Sequence, residues 1–378
     1  MNAVIKNARV LIGDEFVQTN INVENGLISS FGTSDAEGFD ASGLYALPGF
    51  IDTHIHGAVG DDFSEPDCDF EKSLRWEASQ GVTGMLATTD SVPLSALERA
   101  FENIGRQMAR QVRAGYARVY GAHAEGPFIN PLRKGAMNAN NIVLPDPDFV
   151  RRAMKLSACG GLVLKILSLS PELPGAYECA RIMRENGACA SIAHTVADYE
   201  CAADAEKEGF LRATHLFNAM LPLSSRAPGA VGYALRSKAI TCELICDYVH
   251  IHPAVAAFAI NAKGRDRICM ISDSGSMSGC GDGEYFINGR KKYVSDGKCT
   301  LADGTIAGSC VSLYAGVKNL YASGVSLADI SVMASKNPAE AAGVNAGVLK
   351  VGKNADIVLL DEKLGVAAVM TGGMLKAY

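Results

Sequence analysis

Short apolar runs bounded by glycine, proline or asparagine recur through the middle of this chain, most of them separated by stretches with helical spacing. The runs at 47–51, 84–89, 117–123, 162–167, 188–194, 211–216, 241–247 and 267–273 have the length and near-continuous hydrophobicity of buried strands. Helices are predicted over 70–79, 95–112, 148–158, 175–185, 198–207 and 253–263. The second of these is expected to open with Ser95 as N-cap and Glu98 as its capping-box partner. Eight strands alternating with helices predict a (β/α)8 TIM-like barrel over residues 48–345. An open doubly wound sheet is the rival, but no G-x-G-x-x-G follows the first strand.

The two ends have a different texture. Residues 1–47 carry only short β-type runs split by Gly and Asn turns, and residues 346–378 look alike. Together they are expected to form one small β-sandwich domain beside the barrel. Residues 281–309 interrupt the alternation: the runs at 284–293 and 299–301 predict a hairpin inserted after the eighth strand, with helices over 310–322, 327–334 and 338–343 after it.

Composition narrows the classes. The chain has 378 residues, 48% hydrophobic and 20% charged, as in ordinary globular proteins. A net charge of −6 gives no basic footprint for nucleic acid. No apolar run reaches the ~18 residues of a membrane span. The first residues lack the apolar core of a signal peptide. The eleven cysteines contain no C-x-x-C pair, and several lie in apolar runs. Reduced thiols in a cytoplasmic protein are therefore expected, not a disulfide framework.

The histidines carry the chemistry. There are seven, and most stand at predicted strand ends. His54 and His56 close the first strand, where residues i and i+2 face the same side. His123 and Glu125 end the third strand, His194 the fifth, His215 the sixth; His250 and His252 follow the seventh, and Asp273 ends the eighth. In a (β/α)8 barrel these ends form one rim, so their polar side chains converge. Imidazoles with a carboxylate suit Zn2+ or Fe2+. Glu125, His194 and His215 are read as metal ligands, and Asp273 as the carboxylate that takes a proton from water and returns it to a leaving group. His123 and His252 are read as structural, His123 orienting Glu125.

Beyond the spacing, the stretches 48–57, 121–128, 194–195, 215–220, 226–229, 246–252, 272–273 and 301–309 resemble, in the same order, the N-acetylglucosamine-6-phosphate deacetylases of the amidohydrolase superfamily. Glu-Gly-Pro-Phe at 125–128 and His-Leu-Phe-Asn-Ala-Met at 215–220 are the most specific of them. The resemblance implies a barrel with a small β domain. It implies removal of acetate from N-acetylglucosamine 6-phosphate with one or two divalent ions per chain. By it, Glu125, His194 and His215 match the ligands of the principal ion, His54 and His56 those of a second, and Asp273 the catalytic carboxylate. Asn218, Ala219, Arg226 and His250 match contacts to the sugar phosphate, as do Ile306, Ala307 and Gly308. The family arginine matching Arg226 reaches a neighbouring subunit's site, which implies a homodimer. Ala136 and Met137 mark a departure: the family often has His or Gln at the second position, and a thioether is only a weak acceptor. N-acetylgalactosamine 6-phosphate, another N-acyl sugar phosphate, or a non-catalytic sugar-phosphate sensor are the alternatives this leaves open.

Overall fold

The structure is a computed structural model that describes residues 2–287 and 290–378. Eight strands, Phe50–Ile55, Val82–Thr89, Arg118–Glu125, Leu164–Leu169, Cys189–Ile192, Phe210–Ala213, Thr241–Ile245 and Ile268–Ile271, lie side by side in sequence order. All pair in parallel. The sheet closes on itself past the last strand: Asp273 N–H donates to the His54 carbonyl at 3.0 Å, and His56 N–H to the Ser274 carbonyl at 2.7 Å. The first, second and eighth strands are buried at every residue, as expected where helices cover one face and the barrel interior the other.

The barrel interior is layered. Leu86 and Ile166 pack with Ala342, against Tyr120 and Val344. One step further along the strands the filling turns polar. His123 Nε2 meets Ser168 Oγ at 2.7 Å, and Ser168 and Ser191 each meet Thr214 Oγ1 at 2.6 Å. That hydrogen-bonded layer lies directly beneath the rim and replaces the water its groups give up.

Several predicted elements shift. The second helix spans Leu94–Met108 with Pro93 as N-cap and no side-chain cap, so the Ser95–Glu98 capping box does not form. The proline presets its own φ at −54° and starts the helix two residues before Ser95 can cap it. The predicted helix 148–158 ends at Ala153, and Ser157–Ala158 pairs antiparallel with Gly161–Leu162 instead. A helix at Gly229–Arg236, two of whose residues are glycines of poor helix propensity, was not predicted. The insertion after the eighth strand is larger than a hairpin: Gly283–Ile287, Arg290–Ser295, Lys298–Thr300 and Ile306–Ser309 form a four-stranded antiparallel sheet. Its last strand is pinned to the rim, since Ser309 N–H donates to the Asp273 carbonyl at 2.8 Å.

The terminal segments build a separate eight-stranded sheet, in which Tyr45–Pro48 pairs with Asn2–Ile12 on one side and Ile357–Leu360 on the other. It encloses its own cluster, including Ile5, Val10, Ile21, Ile28, Leu359 and Met370. Only Gly49 separates Pro48 from the first barrel strand, and a Cβ there would meet the Thr83 side chain at 2.2 Å.

Candidate active site and metal centre

The first, third, fifth, sixth and eighth strands deliver the predicted ligands to one spot. Glu125 stands between two pairs of histidines. Its Oε1 lies 3.0 Å from His194 Nε2 and 2.7 Å from His215 Nε2; its Oε2 lies 3.1 Å from His56 Nε2 and 3.6 Å from His54 Nε2. Asp273 Oδ1 completes the second group at 3.5 Å from His54 and 3.4 Å from His56. The donor atoms of each group fall within 4.8 Å of one another. One carboxylate with an oxygen turned to each pair has the arrangement of a bridging ligand, a role that the spacing of the chain does not reveal.

The backbone turns sharply to achieve this. His194, His215 and Asp273 have φ of 45°, 31° and 51°, and Phe217 and Ala219 nearby are also left-handed. Such conformations cost energy in non-glycine residues and cluster where a site over-determines them. Tautomers are set from outside. His194 Nδ1 donates to the Arg133 carbonyl at 2.7 Å, which leaves the Nε2 lone pair for an ion. Among the described residues the buried His54 Nε2 has no hydrogen-bond partner. A buried orphan imidazole nitrogen aimed between two carboxylates fits a cation, as does this N/O donor set.

Electrostatics point the same way. Burial pushes the Glu125 carboxyl up, but His54, His194 and His215 outweigh it and hold the group well below the usual range. Burial likewise raises Asp273, while His56 and His54 bring it below its ordinary value. Burial pulls His56 down, yet its bonds to Asp273 and Glu125 lift it to about 10. Both carboxylates are thus ionised and want positive charge.

His123 differs from expectation. It does not orient Glu125; its nitrogens meet the Thr53 carbonyl at 2.8 Å and Ser168 Oγ at 2.7 Å. Burial, then the neighbouring His54, depress it to about 3, so it stays neutral. His252 is structural as expected: exposed, it accepts Ala254 N–H and caps the helix Pro253–Lys263.

Above the ligands lies a cavity of 310 Å³. His56, Glu125, His194, His215 and Asp273 reach it; Ala136, Met137, Asn218, Ala219, His250, Ile306, Ala307 and Gly308 also line it. His250 is held by Asp247 Oδ2 at 2.7 Å, and Asn218 donates to the His215 carbonyl at 3.2 Å. Arg226 is exposed and does not line its own chain's cavity. Among the charged residues that join the site unannounced are Asp90, Lys292 and Glu243. Asp90 follows the second strand and could have been found by the strand-end rule; Lys292 comes from the inserted sheet, where nothing in the sequence singles it out. Glu243, an acid inside the apolar run 241–247, hydrogen-bonds His54.

A closed parallel barrel with carboxylates and histidines on its C-terminal rim defines a metal-dependent hydrolase scaffold. The amidohydrolase family model matches residues 168–376, more than half of the chain, and the chain belongs to that family. It is similar to the N-acetylglucosamine-6-phosphate deacetylase of Lysinibacillus sphaericus, 33% identical over 350 residues, which cover 90% of this chain and 88% of the relative. It is also similar to the N-acetylgalactosamine-6-phosphate deacetylase of Escherichia coli O157:H7, 30% identical over 393 residues that cover 100% of both. Among solved structures, the N-acetyl-D-glucosamine-6-phosphate deacetylase of Mycobacterium smegmatis in complex with N-acetyl-D-glucosamine-6-phosphate matches with a TM-score of 0.91 at 28% identity, covering 99% of each chain.

Proposed function

We propose that this chain hydrolyses the N-acetyl group of N-acetylglucosamine 6-phosphate to give glucosamine 6-phosphate and acetate. The observation that carries the reading is Glu125 with one oxygen toward His194 and His215 and the other toward His54 and His56, beside Asp273. A Zn2+ or Fe2+ ion held by Glu125, His194 and His215, with a second by His54 and His56, would acidify water and polarise the acyl carbonyl. Asp273 takes the proton of the attacking water as the C–O bond forms and the carbonyl π electrons move to its oxygen, then gives that proton to the amine as the carbonyl re-forms and the C–N bond breaks. Asn218, Ala219 and His250 receive the sugar phosphate, Ala136, Met137, Ile306, Ala307 and Gly308 bound the sugar, and Arg226 reaches the phosphate in the other subunit of a homodimer. The exposure of Arg226 away from its own cavity supports that last assignment. The eleven free thiols suit the reducing cytoplasm.

N-acetylgalactosamine 6-phosphate is the second reading, supported by the similarity over the whole of both chains to an N-acetylgalactosamine-6-phosphate deacetylase. Met137, 7% exposed, lines the cavity where a hydrogen-bonding side chain is often found in the resembled family, a departure that concerns the acyl group common to both epimers. Acetate release from both 6-phosphorylated N-acetylhexosamines tests the proposal. Before and after removal and return of the metal, kcat/KM should favour the gluco substrate and depend on the ion. Preference for the galacto epimer would exchange the two readings. Binding without acetate release from either would leave a sugar-phosphate sensor.

A further inference from the structure

Glu243 sits in the middle of the seventh strand, Thr241–Ile245, with no exposed surface. An ionised carboxylate there needs a partner for each oxygen. Oε1 accepts from Arg212 Nη2 at 3.0 Å, and Arg212, on the sixth strand, is itself only 4% exposed. Oε2 lies 3.0 Å from His54 Nδ1 and, more loosely, 3.4 Å from the backbone N–H of His215. A carboxylate kept ionised by a guanidinium on one oxygen can only accept at the other, so His54 Nδ1 carries the proton. The lone pair of His54 is then on Nε2, the buried atom without a partner, 3.6 Å from Glu125 and 3.5 Å from Asp273. Among the described residues no other group hydrogen-bonds the His54 ring at Nδ1. His123 packs edge-on to His54 at 4.5 Å between centroids, but both of its nitrogens are spent on Thr53 and Ser168. For the same reason the cluster of His54, His123 and Glu243 is not a third ion site: His54 Nδ1 is a donor, and His123 offers no free lone pair.

We infer that Glu243, anchored by Arg212, is the positioning residue that presents His54 Nε2 to the second ion. The inference rests on the two-ion reading above and adds what makes His54 a ligand. Glu243 touches neither ion nor substrate. It acts by fixing one tautomer and one ring plane, and its weaker contact to the His215 amide leaves the principal ion nearly independent of it.

The test is metal stoichiometry and affinity of metal-free full-length protein titrated with Zn2+ against a chromophoric chelator, with Co2+ absorption as a second readout. Glu243→Gln keeps the shape and removes the charge. The wild type should bind two ions. E243Q should bind the second at least about 10-fold more weakly while the first stays within about twofold, since partners of metal-bound imidazoles commonly carry 10- to 100-fold in affinity. The Co2+ band of the second ion should weaken in parallel. Arg212 loses its counter-charge in E243Q; if that variant does not fold, R212M/E243Q, which buries no lone charge, carries the same expectation. A merely structural role would lower both affinities together, and that result overturns the inference. Equal second-ion affinity in wild type and variant overturns it too while leaving the two-ion reading intact. A wild type that binds a single ion overturns the two-ion reading and the role of Glu243 with it.

Discussion

Asp273 stands where the first and eighth strands meet, its backbone N–H on the His54 carbonyl and its carboxylate between His54 and His56. Its φ of 51° is one that asparagine tolerates well, so Asp273→Asn should fold. The amide cannot accept the water proton as a carboxylate does. General acid–base catalysis is worth ~10²–10⁴-fold, so kcat should fall at least ~10²-fold with the ion at Glu125, His194 and His215 retained. Near-normal kcat per metal-loaded site would remove Asp273 from the chemistry. A different buried acid ties stability to pH. Glu77, on the helix Glu71–Ser79, has no exposed surface, and among the described residues neither carboxylate oxygen has a hydrogen-bond partner. Burial, and then the neighbouring Asp52, push its carboxyl well above the ordinary range. The folded state therefore holds this proton more tightly than the unfolded chain. Its contribution is complete below the unfolded value and is lost as pH rises toward the folded one, by about 1.4 kcal/mol per pH unit in that window. Glu77→Gln cannot ionise, so the Tm of E77Q should gain on the wild type steadily from pH 5 upward. A Tm difference that stays flat from pH 5 to pH 9 would refute this. The acid at 77 falls in a stretch that reads as an ordinary amphipathic helix, and only packing shows that both oxygens are stranded.

Strands were more legible than helix ends. A buried parallel strand needs apolar residues on both faces, so the runs at 84–89 and 267–273 announce Val82–Thr89 and Ile268–Ile271 directly. Because polar residues at the ends of such runs are few, His54, His194, His215 and Asp273 could be placed on one rim from order alone. What order could not supply is orientation. The left-handed turns at His194 and His215, the two-sided Glu125 and the inward aim of Glu243 all depend on contacts between strands distant in sequence. Helix starts depended on local competition. Asp146 caps Pro147–Ala153, accepting the N–H groups of Asp148 and Phe149 at 3.0 Å each, whereas Ser95 lies exposed within the first turn of a helix begun by Pro93. Asp146→Ala should therefore cost about 1 kcal/mol in urea unfolding. Ser95→Ala should stay within about 0.5 kcal/mol, since no cap is lost and alanine is the better helix former. A loss at Ser95 as large as that at Asp146 would restore the capping box that the structure lacks.

In the assembled protein, the proposed site calls for an arginine, and among the described residues one chain's own cavity has none. The cavity gathers the histidines and carboxylates proposed to hold ions and carry the proton, but Arg226, the arginine proposed for the phosphate, is exposed and does not line it. A guanidinium fork is well suited to a phosphate, and its loss should raise KM for the phosphorylated sugar while leaving the unphosphorylated sugar, already poor, little changed. If the fork serves the neighbouring subunit, two inactive chains should repair each other. In a mixed dimer of D273N and R226A, the site in the R226A chain keeps its own Asp273 and receives the intact arginine from the D273N chain. The other site lacks both. With random exchange half of the dimers are mixed, so activity per chain should recover to about a quarter of the wild type at low substrate. If Arg226 served its own chain, the same mixture would hold only sites lacking Asp273 or lacking Arg226, and its activity would be the average of the two separate variants. Co-refolding the variants in equal amounts and assaying acetate release well below KM distinguishes these outcomes, and an averaged activity would show the site to be complete within one chain.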